Sequence, residues 1–242
     1  MKKLIIALLF AAMPGLATAA AGAIPLDTAP VDHNDKESLQ RGGKTFVDYC
    51  MGCHSAKFMR YSRMAEDLGI APDTLQSDYM ITTDKPGETM QVALTDAQAA
   101  QWFGTKVPDL SLVTRSRGSD WLYTYLRNFY VDESRPFGVN NRLFKDVAMP
   151  HVLAPLQGIT EAQFTTDTHG QKQIEGLSLT TPGALSAEEY DQVVGDLVNF
   201  LDYVGDPVKL ERQRLGFKVL VFLLIFFGLA YALKREYWRD VH

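Results

Sequence analysis

The chain of 242 residues is 46% hydrophobic and 22% charged, with a formal net charge of −5. That balance suits one substantial domain with appendages and excludes a disordered or fibrous chain. The charge is uneven: residues 22–208 hold 15 basic against 26 acidic residues, whereas residues 209–242 hold 7 against 3. An acidic main domain argues against nucleic acid, and either draws in a basic partner by long-range attraction or serves solubility alone.

Met1-Lys2-Lys3, the apolar run Leu4 to Met13 and the small residues Ala17 to Ala21 read as a secretory signal peptide over residues 1–21. The apolar run is too short for an uncleaved anchor. A loose leader with Pro25 and Pro30 follows, and Asn34-Asp35-Lys36-Glu37 has the form of a capping box. Leu39, Gly43, Phe46, Val47 and Cys50 fall on one face of the helix it starts. Gly43 within that helix marks the close approach of another helix.

The helix leads into Cys50-Met51-Gly52-Cys53-His54, the C-x-x-C-H spacing of covalent c-type haem attachment. Two thiols on one turn can form thioethers with the two haem vinyl groups, and the adjoining His then ligates the iron. Structural zinc needs four ligands, and these are the only two cysteines. A thioredoxin-like pair would leave the His unexplained. Covalent haem also agrees with export, because it is attached outside the cytoplasm in bacteria.

Ser55 to Leu68, with Lys57, Arg60 and Arg63, reads as a basic helix ended by Gly69 and Pro72. Residues 72–95 read as surface loop with a short hairpin, and Thr95 caps a helix through Ala100. A helix follows Val107-Pro108-Asp109-Leu110-Ser111 and breaks at Gly118. The aromatic stretch Trp121, Tyr123, Tyr125, Phe129 and Tyr130 reads as core, here a haem wall. Residues 136–158 have loop chemistry, and 159–182 show no periodic signal. Ser186-Ala187-Glu188-Glu189 is a capping box for an amphipathic helix bearing Tyr190, Val194, Leu197 and Leu201, closed by Gly205 and Pro207.

Leu215 to Leu233 is apolar on every face after Lys218, and its 19 residues span about 28 Å, the thickness of a hydrocarbon core. Trp238, Tyr237, Lys234, Arg235 and Arg239 are interfacial anchors. Residues 215–233 are thus expected to form one transmembrane anchor, with residues 22–208 in the periplasm and 234–242 as a cytoplasmic tail. That corresponds to a single-pass protein of the bacterial inner membrane. For the iron face opposite His54 the candidates are Met80, Met90 and Met149, with His33, His151 and His169 as competitors. Met149-Pro150 lies in a rigid loop that can drape over a haem.

The order of these elements resembles the cytochrome c1 family, the haem subunit of the cytochrome bc1 complex. The resemblance spans the mature chain. It rests on Cys50 to Ser55 with Tyr61, on Pro108-Asp109-Leu110-Ser111, Arg115 and Arg117, on Ala148-Met149-Pro150, and on Arg214 to Lys218. It implies a mainly α, class I cytochrome-c-like haem domain with loop insertions and a C-terminal transmembrane helix. One haem c would be held by thioethers at Cys50 and Cys53, axial ligands His54 and Met149, and Arg117 buried against a propionate. The implied role is one-electron transfer from the Rieske iron–sulfur protein to a cytochrome c acceptor, in a complex with cytochrome b and without bond-making chemistry of its own. Val107 replaces the first of the family's two prolines, and Gly118-Ser119 shortens the loop after Arg117; neither touches the ligands. Two other readings are a free-standing tethered monohaem carrier feeding a terminal oxidase, and a haem peroxidase or dehydrogenase subunit with an open iron site and His151 as acid or base.

Overall fold

The computed structural model describes residues 24–166, 170 and 172–239. The signal peptide, His169 and the last three residues of the tail lie outside the described residues.

Helix α1 (Lys36–Thr45) is capped by Asp35, whose carboxylate accepts from the Ser38 backbone N–H at 2.9 Å. The cap is therefore one residue beyond the start of the expected box. A π turn, Phe46–Cys50, carries α1 into the cysteine motif. Residues 56–68, expected as one helix, divide into strand β1 (Ala56–Arg60) and helix α2 (Tyr61–Leu68), which Gly69 closes at φ 73°. β1 is extended because it pairs antiparallel with β2 (Thr89–Met90) and because side chains hold its backbone. Lys57 N–H donates to Asp109 at 2.9 Å, and Phe58 N–H to the Ser111 hydroxyl at 3.1 Å. Between the strands lie the short helix α3 (Pro72–Thr74) and a second π turn, Leu75–Tyr79, so this stretch is more structured than its composition suggests.

Helix α4 (Asp96–Phe103) has a Thr95–Gln98 capping box and runs three residues past the expected end. Helices α5 (Val113–Arg117) and α6 (Ser119–Leu126) meet at Gly118, and β3 (Phe129–Val131) pairs with β4 (Val139–Asn141). After helix α7 (Ala154–Gln157), strands β5 (Gly158–Thr166) and β6 (Lys172–Pro182) form a long antiparallel hairpin. It has no alternating apolar signal because it is largely exposed, including Ile159, Phe164 and Leu179. A period-2 pattern needs one buried face.

The core centres on helix α8 (Ala187–Gly205), which starts at the Ser186–Glu189 capping box and buries Tyr190, Val194, Leu197, Phe200 and Leu201. α1 crosses it so closely that a Cβ on Gly42 would lie 2.0 Å from the Asp196 carbonyl oxygen. Gly42 makes the tightest contact, and Gly43, as expected, also marks the close approach: a Cβ on it would lie 3.1 Å from the Phe200 ring of α8. The leader is docked rather than loose: Asp27, Ala29 and Asp32 donate backbone N–H groups to Thr124, Asp120 and Asn199. Helix α9 (Lys209–Tyr237) contains the apolar stretch, with none of it buried by the rest of the chain. At 1.5 Å per residue its 29 residues reach about 43 Å, enough to cross a bilayer and extend beyond it.

The head of α9 is tied to the haem-motif domain through two carboxylates near the end of α8. Asp202 accepts from Lys209 (2.7 Å), His33 (2.8 Å) and the Ser119 hydroxyl (2.6 Å). Asp206 pairs with Arg115 at 3.2 Å and with Arg212. Burial alone would raise the Asp202 carboxyl; the bonds from His33, Lys209 and Ser119 outweigh it and hold the group well below the usual carboxylate range.

Candidate haem site

A cavity of about 580 Å³ opens against the cysteine motif, within the size range of cofactor pockets. Its walls come from four places: Cys50, Cys53 and His54 after α1; residues 105–110 with Leu112, Val113, Ser116 and Arg117, ahead of and along α5; Trp121, Leu122 and Tyr125 of α6; and the loop Val147 to Pro150. Leu197 and Leu201 of α8 close its base. The lining is mostly apolar, as a tetrapyrrole ring requires.

The motif is a tight turn, with Cys53 N–H and His54 N–H both donating to the Cys50 carbonyl at 3.0 and 2.8 Å. Burial, with Cys53 adjacent, pushes the Cys50 thiol up to about 12. Among the described residues no cluster of three or more His, Cys, Asp or Glu could hold a metal ion. His54 Nδ1 lies 2.8 Å from the Pro108 carbonyl oxygen. A carbonyl can only accept, so Nδ1 carries the proton and Nε2 keeps its lone pair for a metal. Burial lowers the His54 pKa despite that bond, which keeps the imidazole neutral. This donor set fits a haem c: two thiols and a neutral imidazole on one wall, and a thioether on another.

That thioether is Met149. Among the described methionines and histidines considered for the second face, it alone lines the cavity. Met80, directly after the second π turn, and Met90, in β2, are both buried in the core. His33 bonds Asp202, and His151 bonds Gln157 at 2.8 Å while stacking on Phe129 at 4.8 Å. Burial lowers the His151 pKa to about 4 despite the Gln157 bond.

Several residues that sequence patterns did not single out fix the Met149 loop. The Asn141 amide donates to the Tyr125 carbonyl at 2.8 Å, and its oxygen accepts from Leu143 and Phe144 N–H groups. Asn140 accepts from Asp146 N–H at 2.8 Å. Asp146 has φ 62°, the one positive φ outside glycine among the described residues, and Arg135 donates to its carbonyl at 2.9 Å. The Tyr125 hydroxyl donates to Met149 Sδ at 3.5 Å, and burial raises its pKa, so it stays protonated.

Arg117 lines the cavity, with its guanidinium 5.2 Å from the Trp121 ring centroid and 5.8 Å from that of Phe144. On the chain alone it is exposed. A rim position suits a charge meant for a carboxylate at the cavity edge. No ion pair joins Arg117 to another described residue, whereas Arg115 is committed to Asp206. Of the aromatic stretch, Trp121 and Tyr125 reach the cavity, while Tyr123 lies under the Arg127 guanidinium.

The model of the Cytochrome C1 family matches residues 27–173 and 183–241. A cytochrome c1 of Allochromatium vinosum is 49% identical, with all of both chains covered. A Nitrosomonas europaea protein named ammonia monooxygenase gamma subunit is 47% identical over all of this chain and 98% of that one. A cytochrome b/c1 of Bradyrhizobium diazoefficiens is 27% identical, over 88% of this chain and 34% of that protein.

Proposed function

Because the chain belongs to the cytochrome c1 family, and is therefore a membrane-anchored electron-transfer subunit of a bc1-type complex carrying one covalent haem c, we propose which of its residues do the work. Cys50 and Cys53 would form the thioethers, His54 and Met149 would ligate the iron, and Arg117 would meet a propionate. The haem supplies a one-electron couple. The chain holds it in a mostly apolar cavity, keeps His54 in one tautomer through the Pro108 carbonyl, and sets the potential through ligand choice and burial. The Rieske protein delivers the electron and a cytochrome c removes it, with the haem domain on the periplasmic side of a single anchor. Residues 1–21 direct that export.

The observation that carries the reading is the single cavity lined by both the cysteine motif and Met149. Association with cytochrome b draws support from the relative named cytochrome b/c1, of which this chain matches about a third. Family membership disfavours a free-standing carrier. A peroxidase-like site using His151 is disfavoured too, because that ring is held by Gln157 and Phe129. Purification in mild detergent tests the assignment: cytochrome b should co-purify with a haem that resists acidic acetone. A chain that runs alone, or releases its haem, would overturn it.

A further inference from the structure

We propose that Tyr125 tunes the electron affinity of the site through its hydrogen bond to Met149. This inference rests on the assignment of Met149 as an iron ligand. Tyr125 is buried, and the bond from its hydroxyl to Met149 Sδ, 3.5 Å long, is that hydroxyl's one partner among the described residues. The rest of the residue is already fixed without the oxygen. Its ring stacks on Trp121 at 5.0 Å and 9°, meets Phe129 edge-on at 5.2 Å, and its backbone carbonyl accepts from Asn141. A phenylalanine would fill the same space, so the oxygen's distinct contribution is at the sulfur.

A thioether sulfur has two lone pairs and accepts hydrogen bonds weakly. When one pair is drawn toward an O–H, the sulfur is a poorer donor to a metal through the other. Ferric iron depends on that donation more than ferrous iron does. The bond therefore favours the reduced state and raises the potential; hydrogen bonds to ligand sulfur are among the levers that set the potential of iron centres. Tyr125 is a positioning residue, acting through Met149.

The test is a redox titration of the detergent-purified holoprotein bearing Tyr125→Phe, with Met149→Leu beside it. The phenylalanine variant should keep the far-red charge-transfer band of Met-ligated ferric haem, while its oxidised-to-reduced ratio at fixed ambient potential rises about two- to tenfold, the range of one lost neutral hydrogen bond. A potential equal to wild type with the band intact overturns the inference and leaves the ligand assignment standing. Retention of the band in Met149→Leu overturns the ligand assignment instead. If Tyr125→Phe does not load haem, 3-fluorotyrosine at position 125, a stronger donor of nearly the same size, must move the potential upward; no movement again overturns the inference.

Discussion

Asp202→Asn should loosen the joint between the anchor helix and the haem domain by an amount the structure sets. The Asp202 carboxylate accepts from Lys209, His33 and Ser119, which belong to α9, the leader and α6. The substitution keeps the shape and removes the charge. Bonds to an ionised group are worth about 1.5–3 kcal/mol against about 0.5–1.5 for neutral ones. Lys209 is one-third exposed, which discounts its share, so the net loss comes to about 2 kcal/mol. For a domain near 190 residues that is a fall of about 4–8 °C in melting temperature. The carboxyl is held below its unfolded value, so its contribution is complete above the ordinary aspartate pKa of about 4 and fades as pH falls below it. Thermal melts of the detergent-purified protein should show a wild-type advantage that shrinks as the pH falls below about 4. A melting temperature unchanged by the substitution, or an advantage that widens in acid, would refute the reasoning.

Gly42→Ala places a Cβ 2.0 Å from the Asp196 carbonyl oxygen, where neither helix backbone can yield cheaply. The cost should reach or exceed the upper end of the about 1–3 kcal/mol typical of overpacking, read as lost haem loading or a lowered melting temperature, whereas Gly52→Ala, with open space around it, should be tolerated. Arg117→Gln should lower the midpoint potential, because a positive charge at the cavity rim favours the less positive, reduced iron. Arg115→Gln should leave the potential unchanged, since Arg115 is spent on Asp206; the reverse pattern in a redox titration would mean the wrong arginine was chosen.

The cysteine motif, the Thr95 cap, the capping box at Ser186 and the apolar anchor are legible in sequence because each depends on local spacing. The strand Ala56–Arg60 is not, since long-range partners at Asp109, Ser111 and Thr89 impose its conformation. The same holds for the Pro108 carbonyl, a backbone group with no side-chain signature, and for Asn140 and Asn141. Those two amides read as loop residues and prove to be the brace of the Met149 loop.

The central claim is that one cavity holds a haem between His54 and Met149, and the visible and far-red spectrum of ferric Met149→Leu tests it most directly. The account predicts that covalent haem remains attached at Cys50 and Cys53, that the charge-transfer band of Met ligation disappears, and that Met80→Leu and Met90→Leu, altered in the core away from the cavity, keep it. A Met149→Leu protein that retains the band, or a Met80→Leu or Met90→Leu protein that loses it, would contradict the account.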